Sequence, residues 1–312
     1  MRSERDKAML QEDEYLLRSC KITENRKSRP FITEWAEDCP FCKGNEGQID
    51  TIYLETYLPQ GQAHIKVIQN KYPFCQPLEG DYGFHDVVID TVSHHEQPKD
   101  FSKEHWTLLL KTLQERFKEL QQDLKIEFIQ IFKNNGSQAG ASIAHSHWQI
   151  MALPSIPLKI SMEQKALEAY YSKQGECYLC HQLATKAYSF ISENTYWQLV
   201  APSVSQYAHE TWLILKAHKS HYGELNLEEI ESGGVLLKAL LEAYDELIPQ
   251  GAYNLCFMNS GLRGEPYGHF YIQFIPRLVA MGGFEVATGC YINTISPQSH
   301  AKVLKKILDS RR

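Results

Sequence analysis

His145-Ser146-His147-Trp148-Gln149 stands behind the loop Asn134-Asn135-Gly136-Ser137-Gln138-Ala139-Gly140-Ala141-Ser142, and it recurs in altered form as His269-Phe270-Tyr271-Ile272-Gln273. Side chains alternate between the two faces of a strand, so His145, His147 and Gln149 share one face. Ser146 and Trp148 point the other way, Trp148 into a core. Two imidazoles and an amide beside a loop rich in backbone N–H groups suit chemistry on a phosphate.

Working outward, both copies sit in the same order of features, which marks an internal repeat. Each begins with a Cys-x-x-Cys pair, Cys39/Cys42 and Cys177/Cys180. Two short apolar stretches follow each pair: residues 64–68 and 86–90, then 197–200 and 211–215. They read as strands. A histidine comes next, His94 or His218. Then comes a long amphipathic helix. In the first half it starts at the N-cap Ser102, with Trp106, Leu109, Leu113, Phe117, Leu120 and Leu124 at helical spacing. In the second half it covers residues 227–247. Another strand follows (126–132 and 253–258), then the glycine-containing loop and the histidine motif. His85 to His94 and His209 to His218 are both 9 residues; His94 to His145 and His218 to His269 are both 51. The Cys-x-x-Cys pairs lie 52 and 38 residues before His94 and His218, so that segment has diverged.

Each half thus offers two cysteines and two histidines: Cys39, Cys42, His94 and His145, and Cys177, Cys180, His218 and His269. Two thiolates with two imidazoles make a closed tetrahedral set suited to structural zinc. Neither pair is read as lying between a strand and a helix N-terminus, as a thioredoxin-like role requires. Cys20, Cys75, Cys256 and Cys290 are expected to be small buried hydrophobes. The second copy has Tyr271 where the first has His147, and tyrosine is a weak nucleophile at neutral pH. The first half is therefore expected to be catalytic and the second structural and substrate-supporting, with a boundary between residues 157 and 158.

Composition sets the frame. The chain has 312 residues, 43% hydrophobic, with a formal net charge of −6. That is enough for a substantial core, and the charge argues against a nucleic-acid backbone as partner. The N-terminus is charged and lacks an apolar signal core. No window approaches the roughly 18 apolar residues of a membrane span. No membrane association and a cytoplasmic location are the expectations.

The motif and loop resemble the galactose-1-phosphate uridylyltransferase branch of the histidine triad superfamily, and within it plant-type ADP-glucose phosphorylase. The likeness covers roughly residues 26–307. Its finer part is carried by residues 132–142, His85-Asp86-Val87-Val88-Ile89, and Gly282-Gly283-Phe284-Glu285 through Thr288-Gly289-Cys290-Tyr291-Ile292-Asn293. The resemblance implies an α+β fold of two fused histidine-triad-like halves, each an antiparallel sheet with a packed helix. It implies that His147 attacks the α-phosphorus of a nucleoside diphosphate sugar and that Gln149 bonds a phosphate oxygen. Asn134, Gly140, Ala141 and Ser142 match the phosphate-contacting loop. Asn70 and Tyr72 match the nucleotide side, Arg26 and Arg29 an early basic segment, and Gly283 the sugar side. The eight cysteines and histidines match two zinc sites, and a homodimer is implied.

Two departures matter. Trp148 replaces a small residue, on the face away from the chemistry. The uridylyltransferase's hexose-contacting acidic residue has no counterpart in Thr288-Gly289-Cys290. The expected function is nucleotidyl transfer with phosphate or a sugar phosphate as acceptor. The alternatives are a hexose-1-phosphate uridylyltransferase, a dinucleoside polyphosphate hydrolase and a non-catalytic zinc-containing nucleotide-binding protein.

Overall fold

The computed structural model describes residues 10–23, 39–59 and 64–311; Arg26 and Arg29 lie outside them. A small hairpin, β1 (Gln11–Asp13) with β2 (Arg18–Cys20), precedes the main body. The first half then builds β3 (Ile52–Tyr57), β4 (His64–Gln69), β5 (Phe84–Ile89), helix α1 (Lys103–Gln121), β6 (Phe128–Asn135) and β7 (His147–Leu153). Helices α2 (Leu158–Gln174) and α3 (Tyr178–Ala184) lead into the second half. There β8 (Ser189–Glu193), β9 (Trp197–Ala201), β10 (Thr211–Leu215), α4 (Leu227–Leu247), β11 (Tyr253–Met258) and β12 (Tyr271–Pro276) repeat the plan. Helices α5 (Gly283–Thr288) and α6 (Pro297–Ser310) close the chain.

The ten strands β3–β12 form one sheet in the order β3-β4-β5-β7-β6-β11-β12-β10-β9-β8, antiparallel throughout. The order is symmetric about the β6–β11 seam, so each strand of the first half has a counterpart in the second. The seam pairs Asn135 with Tyr253 through Phe132 with Cys256. The fold is α+β, but the two antiparallel sheets are continuous rather than separate.

Helices α1 and α4 pack on one face of this sheet. The spacing of apolar residues explains α1: Trp106, Leu109, Leu113, Phe117 and Leu120 are all buried in the core. Ser102 caps it by accepting from the His105 N–H at 3.1 Å. Leu124 falls past the last turn and is 84% exposed, so the helical register read from sequence runs one turn too far. Asn226 caps α4 in a reciprocal capping box with Glu229. Inside α4, a Cβ on Gly233 would sit 3.1 Å from the Trp197 ring, and one on Gly234 3.2 Å from the Trp106 Cβ. These two glycines let the helix lie close against the sheet and α1.

The lone cysteines depart from expectation. Only Cys75 is buried; Cys256 is half-buried, and Cys20 and Cys290 are exposed. They lie on a hairpin strand and just past α5, where no core reaches them. Among the described residues no helix is long and apolar enough to cross a membrane.

Helix α1 is tied to the sheet beside the functional face by a buried ion pair, Arg116 Nε to Asp86 Oδ2 at 2.8 Å. The guanidinium also stacks on Tyr53. Burial pushes the Asp86 carboxyl up to about 6 despite the arginine. Replacing Arg116 by Met should cost about 3 kcal/mol, because Asp86 is left buried without its cation. Asp86→Leu/Arg116→Met should cost less than the single change. Denaturant unfolding measures both, and a double variant weaker than the single would contradict this account.

Candidate active site and metal centres

The alternation read from the motif holds in three dimensions. Trp148 is fully buried in the helix-side core. His147 and Gln149 line a cleft of about 770 Å³, open mouth included, on the opposite face. Regular strand pairing begins only at His147, so His145 lies in the turn leading into β7.

Each ring nitrogen of His147 has a separate place. Nδ1 donates to the His145 carbonyl at 2.8 Å, which leaves Nε2 unprotonated for the cleft. Burial above all, then the nearby Lys133 ammonium, lowers the His147 pKa to about 4. The ring is therefore neutral, and nucleophilic, at physiological pH. Phe41 meets it edge-on, ring centroids 5.4 Å apart.

His85 orients Gln149. The Phe74 N–H donates to His85 Nδ1 at 2.9 Å, so a neutral His85 carries its proton on Nε2. That proton goes to Gln149 Oε1 at 3.0 Å, which leaves the Gln149 NH2 as a donor. Asn70 Nδ2 lies 3.1 Å from the same His85 nitrogen, and Asn70 Oδ1 accepts from the Tyr72 N–H. Asn70, Tyr72 and Ser142 all line the cleft, as do Asp50, Val87 and Ile143. Sequence reading placed His85 in the repeat and in the family likeness, but assigned it no role at the site. The signal for its role was its place on β5, two residues from the cleft residue Val87 on the same face.

Other expected binding residues fall elsewhere. Asn134 accepts from Asn254 across the seam at 2.8 Å, and the same amide holds the Ala139 carbonyl. Gly140 ends a short turn with φ +85°, and the Ala141 N–H closes it on Gly136. These residues shape the loop that delivers Ser142. Gly283 is exposed at the start of α5, outside the cleft lining.

Both cysteine–histidine sets assemble. In the first, Cys42 Sγ lies 3.3 Å from His94 Nδ1 and 3.5 Å from His145 Nδ1, and Cys39 Sγ 3.7 Å from His145 Nδ1. In the second, Cys180 Sγ lies 3.5 Å from His218 Nδ1 and 3.4 Å from His269 Nδ1, and Cys177 Sγ 3.6 Å from His269 Nδ1. The four donor atoms of each set lie within 4.8 Å of one another. His145 Nε2 donates to the Thr91 carbonyl and His269 Nε2 to that of Leu215. Those bonds turn each Nδ1 toward the sulfurs. Burial pushes the Cys39 thiol up to about 11, so its thiolate needs a cation beside it. Both sets are placed to hold a metal ion. Cys177 sits at a helix N-terminus, that of α3. The preceding element is a helix, however, and two imidazoles face the thiols.

Comparison of the halves corrects one alignment. Val87 pairs with Gln149, and Trp212 pairs with Gln273, so β10 is offset by 125 residues and not by 124. Glu210, not His209, therefore takes the place of His85, and it accepts from Gln273 at 2.8 Å. His209 instead meets His300. The cleft residue Val87 is replaced by Trp212, which lies on Tyr271 with ring centroids 4.6 Å apart. The second half fills with aromatic rings the space that the first half leaves open.

Known proteins bear on this geometry. ADP-glucose phosphorylase of Arabidopsis thaliana is 34% identical over 86% of this chain and 82% of its own length. The chain belongs to the family of ADP-glucose phosphorylase and galactose-1-phosphate uridylyltransferase. Within that family, galactose-1-phosphate uridylyltransferase of Thermotoga maritima is 26% identical over 94% of this chain and 95% of its own. A crystal structure of the Arabidopsis thaliana phosphorylase with bound ADP-glucose superposes with a TM-score of 0.81, at 32% identity, over 96% of this chain and 98% of that one. Two family profiles also match: a domain of unknown function (DUF4931), N-terminal domain, over residues 21–156, and a domain of unknown function (DUF4921) over residues 93–312. The chain is an enzyme of the nucleotidyltransferase kind.

Purified protein should carry about two metal ions per chain, one for each four-ligand set. His94→Ala should remove one and lower the melting temperature, because metal binding adds its free energy to folding. Elemental analysis with thermal melting tests this; a metal-free protein with full stability and activity would contradict both sites.

Proposed function

We propose that this enzyme transfers a nucleotidyl group from a nucleoside diphosphate sugar to inorganic phosphate, by way of a covalent nucleotidyl-His147. The observation that carries the reading is the 2.8 Å bond from His147 Nδ1 to the His145 carbonyl, which leaves Nε2 as a neutral nucleophile in the cleft. In the first step the Nε2 lone pair forms a bond to the α-phosphorus. The bond from that phosphorus to the bridging oxygen breaks, and the sugar 1-phosphate leaves. In the second step a phosphate oxygen attacks the same phosphorus, the P–N bond breaks, and a nucleoside diphosphate departs. The Gln149 NH2, oriented by His85, and the loop at Ser142 would hold the phosphoryl oxygens as charge builds on them.

Zinc is the metal this reading assigns to both sets. Tetrahedral zinc with two sulfurs and two nitrogens needs ligand atoms about 3.5 Å apart, which matches the contacts between 3.3 and 3.7 Å. Bound there, it would tie the Cys-x-x-Cys segment to the turn before β7. Gly283, Arg26 and Arg29 are retained as sugar-nucleotide contacts by family likeness, and so is a homodimer, which the mass measured by sedimentation in solution checks. A reducing, cytoplasmic setting suits eight free cysteines, four of which face imidazoles.

The phosphorylase relative at 34% identity favours phosphate as acceptor and ADP-glucose as donor. The segment Thr288-Gly289-Cys290 supplies no carboxylate to fix a hexose hydroxyl. Incubation with labelled ADP-glucose should give acid-labile labelled protein, and His147→Gly should abolish the label while leaving the fold intact. Phosphate should discharge the label as ADP. Rapid turnover of UDP-glucose with galactose 1-phosphate, and none of ADP-glucose with phosphate, would reject the phosphorylase reading.

The pH profile follows from the low pKa of His147. Its neutral form dominates above about 4, so the rate of label formation should stay level from pH 8 to about pH 5. The same sign applies to folding. The unfolded ring takes up its proton near 6.5 and the folded ring near 4, so this contribution to stability is complete above 6.5 and is lost as pH falls toward 4. A half-maximal rate near pH 6.5 would show that the ring titrates as an ordinary histidine.

A further inference from the structure

Behind His147, on the helix side of the sheet, lies a buried polar cluster. Lys133 is fully buried. Its ammonium donates to Asp90 Oδ2 at 3.0 Å, to Ser146 Oγ at 2.7 Å and to the His147 carbonyl at 3.0 Å. Ser146 Oγ donates in turn to Asp90 Oδ2 at 3.0 Å. All three ammonium protons are used, one of them on the peptide of the nucleophile itself.

The second half supplies an internal control. Ile89 pairs with His147 and Ile214 with Tyr271, so the counterpart of Asp90 is Leu215. Phe132 pairs with Gln149 and Cys256 with Gln273, so the counterpart of Lys133 is Phe257. The counterpart of Ser146 is Phe270. Leu215, Phe257 and Phe270 are all fully buried, and the two rings meet edge-on at 5.7 Å. The same fold thus fills this spot with apolar side chains in the half that has no nucleophile. Buried ion pairs seldom add net stability over such a filling.

The strand ladder differs at the same place. β11 pairs with β12 as far as Met258 opposite Tyr271, whereas β6 pairs with β7 only as far as Phe132 opposite Gln149. On the β6 side the pairing stops short of His147, and the Lys133 ammonium holds the His147 carbonyl there. We propose that Lys133, Asp90 and Ser146 are positioning residues that set the aim of His147 from behind the sheet. Lys133 and Ser146 hold its peptide and the one before it, while Asp90 anchors both. The inference rests on His147 being the nucleophile.

The test uses full-length protein, labelled ADP-glucose and single-turnover measurement of covalent label. Asp90→Leu/Lys133→Met removes both charges together and leaves an apolar filling, as in the second half. The labelling rate at saturation should fall about 100-fold, as expected for a misaimed nucleophile. The donor concentration for half-maximal rate should stay within about twofold, since no cleft residue has changed. The melting temperature should hold or rise. Ser146→Ala, which spares the ion pair, should lower the rate about fivefold, as for one lost hydrogen bond. Unchanged rates in both variants overturn the proposal. A double variant that fails to fold also overturns it, because the cluster would then be a requirement of the core. His147→Gly separates the two readings: if it still takes label, the nucleophile is wrong; if it does not, full-rate labelling of the cluster variants rejects the positioning role alone.

Discussion

The period-two alternation of β7 is the constraint on which the site depends. The turn into β7 and the strand itself present His145, His147 and Gln149 to one face at successive alternate positions. The intervening residues then point to the helix side, whatever the chemistry requires. His145, His147 and Gln149 take the first face, and Ser146 and Trp148 the second. β7 is also a central strand, gripped by β5 and β6. A one-residue slip would move His147 into the core and Trp148 into the cleft.

What holds that register is distributed. The Cys-x-x-Cys segment and His94 gather at His145 from the front. The Thr91 carbonyl fixes the ring of His145. Trp148 locks the back through edge-on contacts with Trp106 and Phe257. Arg116 draws α1 onto β5, one residue from His85 and so near the partner of Gln149. Each of these groups comes from a different part of the chain, and each acts on β7 or its direct neighbour.

The second half shows which parts of this arrangement belong to the fold. It keeps the four-ligand set, the backbone bond to the inner histidine and the strand order. It keeps a side chain against its glutamine, though a carboxylate replaces the imidazole. It exchanges the open cleft for Trp212 on Tyr271, and the buried lysine cluster for two phenylalanines and a leucine. A carboxylate accepting from Gln273 turns its amide nitrogen inward, whereas His85 takes the oxygen of Gln149 and frees the nitrogen for the cleft.

The sequence by itself determined the duplication, both four-ligand sets, the strand that carries the motif and the half that has a second histidine in it. These are local patterns: short spacings, alternation, and one histidine-to-tyrosine difference at matched positions. The helix cap Ser102 and the course of α4 were legible for the same reason. The tertiary structure alone decided that Glu210 and not His209 answers His85, because strand register depends on hydrogen-bond pairing and a single deleted residue after β10 restores the count. It decided that Leu124 is exposed, since the helix ends where the core ends. It decided that Asn134 serves the seam, and that Lys133, Asp90 and Ser146 meet. Lys133 lies 43 residues from Asp90 along the chain. No spacing rule links them; only the pairing of β7 with both β5 and β6 brings the two side chains to one point behind the nucleophile.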